Sequence, residues 1–112
     1  MSTISYEDFL RVDMRVGMIL EVQEFERARN ASYKVRVDFG PDIGEKWSSA
    51  QAKLAYSKGE LVGKQVIAVL NLPKHIAEFL SEVLILGADK EDGSLSLLQP
   101  SRDPARIGSR VY

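Results

Sequence analysis

Catalytic and metal-binding chemistry has few candidate residues in this sequence. His75 is the only histidine, and there is no cysteine. A usual zinc site and a thiolate nucleophile are therefore excluded. Ser81, Glu82 and Asp89 supply the residue types of a serine triad, but no nucleophile motif surrounds Ser81. The glycines occur singly, so no phosphate-binding loop is present. We predict a protein that is not an enzyme and has no cofactor or metal, in which His75 is an exposed loop residue.

Basic side chains are stronger candidates for function. Six basic or potentially basic residues fall in two predicted loops and on one predicted strand: Arg27, Arg29, Lys34, Arg36, Lys74 and His75. Such residues can bind phosphate groups of a nucleic acid. Lys34 and Arg36 could equally be a solvated strand face that pairs with acids across the sheet, and the pattern leaves both interpretations open. The net charge of −1 argues against an indiscriminate nucleic-acid binder but permits a local basic patch.

Trp47 is the only tryptophan, and the polar residues around it do not fix the direction of its side chain. If it points outward, it offers a stacking platform for a base or an anchor for an apolar peptide. If it points inward, it belongs to the core. The polar neighbours favour an exposed or interface position. Tyr33, Phe39 and Phe79 are predicted to be core or interface residues.

The elements that must position these residues are short strands. The clearest signal is the alternation of Tyr33, Val35, Val37 and Phe39 with charged residues, which predicts a strand with one apolar face. The other predicted strands are 15–22, with a bulge or bend at Gly17, 45–51, 65–70 and 82–86. Helical turns are predicted at 6–10, capped by Ser5, at 52–56, and around 76–78 within a loop. A tight turn at 90–93 predicts a hairpin, and an extended tail follows from 99.

Five or six closely spaced short strands, with one short helix between the third and fourth, predict an all-β, five-stranded barrel with the oligonucleotide/oligosaccharide-binding (OB) fold. An SH3-like barrel is the alternative, but it usually lacks that helix. We expect one domain over residues 1–112, with a core at about 9–99 and extensions at 1–8 and 100–112. In an OB-fold, the second and third strands and the loops 1–2 and 4–5 form the ligand groove, where the six basic residues would lie.

Apolar residues occur in both extensions or beside them. They are Phe9, Leu10, Ile107, Val111 and Tyr112, and Phe79 is a further candidate for an interface. They either cover the barrel locally or pair with a second chain, and we predict a homodimer with a two-fold interface. The absence of cysteine, of a signal-like N-terminus and of a long apolar run leads us to expect a cytoplasmic protein that does not insert into a membrane.

Five segments in this order resemble the tRNA-binding-domain family. They are 9–17, 37–41, 47–51, 60–66 and 81–87, and the closest likeness is to its branch of CsaA secretion chaperones. The family also includes the C-terminal domain of bacterial methionyl-tRNA synthetases and stand-alone tRNA-binding proteins. The resemblance implies a non-catalytic OB-fold homodimer. It implies tRNA-related binding for the family as a whole, and binding of unfolded preproteins in export for the CsaA branch.

Matching positions in the family imply binding roles for Arg15, Asn71, Lys74 and Ser81, and Ser49 on the third predicted strand is a further candidate binding residue. The synthetase-like members usually have Ser-Gly where this chain has Ser49-Ala50, and Ser-Glu-Gly-Met where it has residues 81–84. We therefore expect a chaperone of the CsaA type that binds unfolded preproteins or peptides and also tRNA. The alternative is a structure-specific tRNA-binding protein with no chaperone role.

Overall fold

A computed structural model describes residues 1–112 as mainly antiparallel β-structure. The helices are α1 (Tyr6–Leu10) and α2 (Lys58–Leu61). The strands are β1 (Met14–Glu24), β2 (Tyr33–Asp38), β3 (Glu45–Ala50), β4 (Gln65–Val69), β5 (Lys74–Ile76), β6 (Phe79–Ser81), β7 (Leu84–Ile85), β8 (Gly87–Asp89) and β9 (Leu95–Leu97). Neither helix has the length or apolar content to cross a membrane.

One five-stranded sheet, in the order β3-β2-β1-β4-β7, curls into a nearly closed barrel. The long strand β1 pairs with β4 through its first half and with β2 through its second half. Its register shifts between Ile19 and Glu21, so the extra residue that bends the strand is Leu20. The predicted OB-fold, with a short helix between the third and fourth strands, is confirmed.

The prediction of a bulge at Gly17 is wrong, because the reason for this glycine is space. A Cβ atom at Gly17 would lie 2.5 Å from Cγ1 of Val37 and 2.7 Å from Cε1 of Phe39. Both neighbours are almost completely buried. Strands β1 and β2 can therefore approach each other here only because residue 17 has no side chain.

The core lies inside the barrel and follows the alternation on β2. Tyr33, Val35 and Val37 are buried, whereas Lys34 and Arg36 lie half-exposed on the outer face. The other large side chains of the core are those of Ile19, Phe39, Leu61, Val66, Val83 and Leu97. The predicted apolar face of this strand is confirmed.

The seam between β3 and the segment before β7 closes the barrel through side chains. The backbone N–H of Trp47 donates to Oε2 of Glu82 at 2.8 Å, and the Trp47 carbonyl accepts from the Glu82 N–H at 2.8 Å. The N–H of Ser49 donates to Oγ of Ser81 at 3.0 Å. Ser48 Oγ donates to the carbonyl of Val83 at 3.0 Å. These bonds satisfy an edge that would otherwise expose unpaired backbone groups.

The predicted helix at 52–56 is wrong, since the helix between β3 and β4 begins later. Ser57 is its N-cap: Oγ of Ser57 accepts from the Glu60 N–H at 3.2 Å, and the Glu60 carboxylate accepts from the Ser57 N–H at 2.9 Å. This capping box has a sequence signature, Ser-x-x-Glu, that marks a helix start. Residues 53–55 form only turns.

The predicted helical turn around 76–78 is also wrong, because this segment is the tip of the β5–β6 hairpin. Ala77 has φ of 53°, in the left-handed region, and this allows the chain to reverse after Ile76. The predicted strand 82–86 is shorter in the structure, because only its residues Leu84–Ile85 form β7, which closes the sheet. The separate strand β8 begins after it and pairs with β9 across the turn at 90–93. The predicted hairpin at that turn is confirmed.

The end of the tail, residues 108–111, lies against β1. The N–H of Val111 donates to the carbonyl of Met14 at 2.9 Å, and Val16 exchanges backbone hydrogen bonds with Gly108 and Ser109. At the other end of the chain, the capping box of α1 uses Ser5 as predicted. No residue of α1 is fully buried. Phe9 is half-buried, whereas Tyr6 and Leu10 are exposed to solvent.

Candidate binding groove

An aromatic cavity of about 360 Å³ opens on the outer face of the barrel. It is lined by Gln23, Lys34, Trp47, Phe79, Leu80 and Glu82, which come from the end of β1, from β2 and β3, and from the connection between β4 and β7. We call this cavity the Trp47 cavity. Its position is where an OB-fold binds its ligand.

Trp47 stands on the outer face of β3, because its neighbour Ser48 points into the core and is completely buried. The indole is half-buried and meets the ring of Phe79 edge-on, with 6.5 Å between ring centroids. The backbone of Trp47 is fixed by its two hydrogen bonds with Glu82. The side chain is therefore held in place and still offers one face to a ligand.

Lys34 lies beside Trp47 and has no carboxylate within ion-pairing distance. Its Nζ atom is 5.1 Å from the ring centroids of both Phe25 and Phe79. These two rings contact each other edge to face at 5.2 Å. The ammonium group of Lys34 thus makes cation–π contacts with two aromatic rings, and the sequence did not predict this arrangement.

Arg36, by contrast, belongs to the ion-paired strand face that the sequence left as one alternative. Its Nε is 3.0 Å from Oε1 of Glu21, and its Nη1 pairs with Glu45. Hydrogen bonds to Glu45 and Glu21 raise the pKa of the guanidinium. The hydrogen bond from Gln23 and then that from Arg36 lower the pKa of the Glu21 carboxyl. Two carboxylates already satisfy Arg36, so little of its charge is left for a phosphate.

A second cavity of about 300 Å³ shares Lys34 and Phe79 with the first. The rest of its lining is Glu24, Phe25, Glu26, Arg27, Ala77 and Glu78. We call it the acidic cavity, because three carboxylates line it. Arg27 pairs with Glu78 at 3.0 Å, and Glu24 pairs with two lysines outside the cavity.

A third cavity of about 270 Å³ lies on the other side of the β5–β6 hairpin. It is mostly apolar, with Ile76, Ile85 and Leu95 among its walls, and it contains the predicted binding residues Ser49 and Lys74. His75 is exposed on β5, in a hairpin rather than in an irregular loop. No group of three or more potential metal ligands is formed.

Three residues that matched the family's binding positions make internal hydrogen bonds. Nε of Arg15 pairs with Asp13 at 2.7 Å, and its Nη1 donates to the carbonyl of Gly108 at 3.2 Å. The amide of Asn71 accepts from the N–H of Asp13 and donates to the carbonyl of residue 11. Ser81 is buried in the barrel seam. None of the three lines the Trp47 cavity or the acidic cavity.

The residues predicted to form an interface divide into two groups. Leu10 and Tyr112 are exposed, whereas Phe9, Ile107 and Val111 are half-buried near the chain ends. Phe79 does not belong to either group, since its ring packs on Phe25 and Trp47 in the groove. Further exposed apolar side chains occur in the same N-terminal region, at Ile4, Tyr6 and Val12.

Sequence reasoning missed several groove residues, among them Phe25, Glu26 and Glu82. A phenylalanine between two glutamates in a polar loop was the available signal for Phe25, because an apolar ring there needs a packing partner. Nothing in the local pattern shows that Glu82 caps the backbone of Trp47, since the two residues are 35 positions apart.

The fold and the groove define a class: this is a small OB-fold barrel with an aromatic groove on its outer face. The family model described as "Putative tRNA binding domain" matches residues 14–110. This chain therefore belongs to the tRNA-binding-domain family.

Among solved structures, the CsaA chaperone of Picrophilus torridus is 47% identical, with a TM-score of 0.90, and the match covers 98% of this chain and 100% of that one. The chaperone CsaA of Bacillus anthracis is 39% identical, with a TM-score of 0.89 over 99% of this chain and 100% of that one. A methionine–tRNA ligase of Porphyromonas gingivalis is 40% identical over 109 residues, which are 96% of this chain and 15% of the ligase. The chain thus spans only about a sixth of the methionine–tRNA ligases that it matches.

Proposed function

We propose that this protein is a non-catalytic, homodimeric chaperone of the cytoplasm that binds extended segments of unfolded preproteins in the Trp47 cavity. The observation that carries the proposal is the aromatic lining of this cavity, where Trp47 and Phe79 stand at the OB-fold ligand position. The similarity of this chain to two CsaA chaperones over nearly its whole length also supports a chaperone function.

The charges around the groove favour a polypeptide over a nucleic acid. Binding of RNA draws much of its affinity from cations that replace counterions on the phosphates. Here Arg36 is saturated by Glu21 and Glu45, and Arg27 is paired with Glu78. Lys34 has no ion-pair partner in this groove and lies over two aromatic rings, and the unpaired Lys74 lines the separate third cavity.

The dimer would use the apolar residues near the chain ends. Leu10 and Tyr112 are exposed, and α1 buries no residue although Phe9 and Leu10 give it an apolar side. A second copy related by a two-fold axis could cover this surface on both chains at once. Sedimentation equilibrium tests the dimer. We expect wild-type protein to sediment as a dimer and Leu10→Glu to sediment as a monomer, and a wild-type monomer at all concentrations would contradict this part of the proposal.

Suppression of client aggregation tests the chaperone activity. A chemically denatured client is diluted into buffer with a several-fold molar excess of this protein, and light scattering is followed. We expect suppression by the wild type and a clear loss with Trp47→Ala. Leu54→Ala is the matched control, because Leu54 is fully exposed and lies outside both cavities of the groove. No suppression by the wild type would refute the proposal.

The second candidate function is structure-specific binding of tRNA, alone or besides the chaperone role. The family match and the likeness to methionine–tRNA ligases favour it. Filter binding of bulk tRNA at low and high salt distinguishes the two modes. Affinity for tRNA should fall steeply with salt, whereas burial of apolar peptide side chains should not. Absence of any binding at low salt would remove this candidate.

A further inference from the structure

Some carboxylates in the groove form no ion pair and can therefore interact with the charges of a ligand. Of the glutamates that line the two cavities, Glu24 pairs with Lys53 and Lys58, and Glu78 pairs with Arg27. The two others, Glu26 in the acidic cavity and Glu82 in the Trp47 cavity, have no cationic partner.

The carboxylate of Glu82 is held in one position by a hydrogen bond. One carboxylate oxygen, Oε2, accepts the hydrogen bond from the backbone of Trp47, and this bond holds the side chain against the rim of the cavity. The carboxylate therefore presents a negative charge beside the aromatic surface formed by Trp47 and Phe79. Glu26 is exposed at the other end of the groove.

Lys34 and Phe79 form the common wall of the two cavities. In an extended ligand the side chains at positions i and i+2 lie on the same face, so two residues separated by one can enter the two adjoining cavities. The Trp47 cavity suits an apolar side chain, because three of its six lining residues are hydrophobic. The acidic cavity offers carboxylates, which bind an ammonium or guanidinium ion, whereas its two phenyl rings already face Lys34.

We infer that the groove selects polypeptide segments in which lysine or arginine stands two positions away from a large apolar residue, and that Glu26 and Glu82 supply the attraction for the basic side chain. This inference rests on the proposed function, because it names the class of peptide that the proposed site takes. It disfavours a polyanion in the same groove, since phosphates would meet two unpaired carboxylates, Glu26 and Glu82, against one unpaired cation, Lys34.

Intrinsic fluorescence provides the test, because Trp47 is the only tryptophan and lies in the cavity. Three tryptophan-free peptides share one central phenylalanine and differ only in the residues two positions before and after it, which are lysine, glutamine or glutamate. We expect the lysine peptide to bind several-fold more tightly than the glutamine peptide, and the glutamate peptide to bind most weakly. Two exposed charge pairs correspond to a change of roughly two- to tenfold in the dissociation constant. The preference should shrink at about 1 M salt, where screening acts over about 3 Å.

Charge-removing variants identify the source of the preference. In the double variant Glu26→Gln and Glu82→Gln, the amide oxygen at position 82 can still accept from the Trp47 backbone, so the cavity should keep its shape. We expect this variant to bind all three peptides with nearly equal affinity. Glu91→Gln is the control, because Glu91 is exposed in the turn between β8 and β9 and lines neither cavity.

The outcomes separate this inference from the function on which it rests. If all three peptides bind the wild type equally well, or if the glutamate peptide binds most tightly, the inference is overturned while peptide binding stands. A preference that persists in the double variant also overturns it, because the named carboxylates would not be its cause. If no peptide changes the fluorescence and no client is protected, both the inference and the proposed chaperone function fail together.

Discussion

Replacement of Gly17 by alanine tests how the barrel is packed. The added Cβ atom would lie 2.5 Å from Cγ1 of Val37, whereas ordinary van der Waals contact begins at 3.4 Å. The second contact, to the Phe39 ring, is equally short at 2.7 Å, and neither neighbour has solvent into which it can move. One of the two strands must therefore shift by most of an ångström, or both side chains must leave their preferred rotamers.

The magnitude follows from two opposing terms. Overpacking of a filled core costs about 1–3 kcal/mol. Removal of a glycine from a strand returns about 0.5–1 kcal/mol of conformational entropy. We expect Gly17→Ala to lower the free energy of unfolding by about 1–2 kcal/mol and Tm by roughly 4–10 °C for a domain of this size.

Gly59→Ala is the matched control. Gly59 lies in α2, and a Cβ atom there would meet nothing within 4 Å. We expect this variant to gain about 0.5–1 kcal/mol, because alanine is the better helix former. Thermal unfolding followed by circular dichroism at one fixed protein concentration compares the three proteins, since the proposed dimer would make Tm depend on concentration. If Gly17→Ala is as stable as the wild type, the close approach of β1 and β2 is not the reason for this glycine.

Three further predictions concern single polar residues. Ser57→Ala should lower the free energy of unfolding by about 1 kcal/mol in denaturant titrations, because it removes the N-cap of α2; no change would show that the helix does not need its cap. Glu21 has a pKa below its ordinary value of 4.5, owing to Gln23 and then Arg36, so its contribution is present above pH 4.5 and lost as pH falls through the lowered value. The Tm difference between wild type and Glu21→Gln should accordingly narrow below pH 4.5, and a difference that widens in acid would contradict the assignment. Asn71→Ala should increase amide hydrogen exchange just before β1, because both hydrogen bonds of its amide hold that segment; unchanged exchange would show that they do not.

Local pattern predicted the elements whose signal lies within a few residues. The alternation from Tyr33 to Phe39 required a strand with one buried face, and β2 has it. The acidic turn with Gly93 required a hairpin, and β8 and β9 pair across it. The sequence predicts Ser5 as a helix N-cap, and the structure has it there. Ser57 carries a similar capping signature and caps α2, whereas the predicted helix at 52–56 does not form.

The hairpin of β5 and β6 was missed because its strands have only three residues each and its turn uses Ala77 instead of glycine. Its stability comes from packing on β3 and from the Phe79 ring on Trp47 and Phe25, not from local propensity. Short strands of this kind carry little periodicity, so tertiary contacts decide their conformation.

By itself, the sequence determined the barrel, the absence of cysteine chemistry and the set of basic and aromatic residues near one groove. Only the tertiary structure decided which of these side chains are available to bind a ligand. Arg36 forms ion pairs with Glu21 and Glu45, and Arg15 donates a hydrogen bond to the tail. Lys34 lies over two aromatic rings. The reason is physical. The effect of a charge depends on the partners within a few ångströms, and strand pairing brings those partners from distant parts of the chain. For the same reason, the character of the groove was set by Glu82, a residue 35 positions from the tryptophan whose backbone it holds.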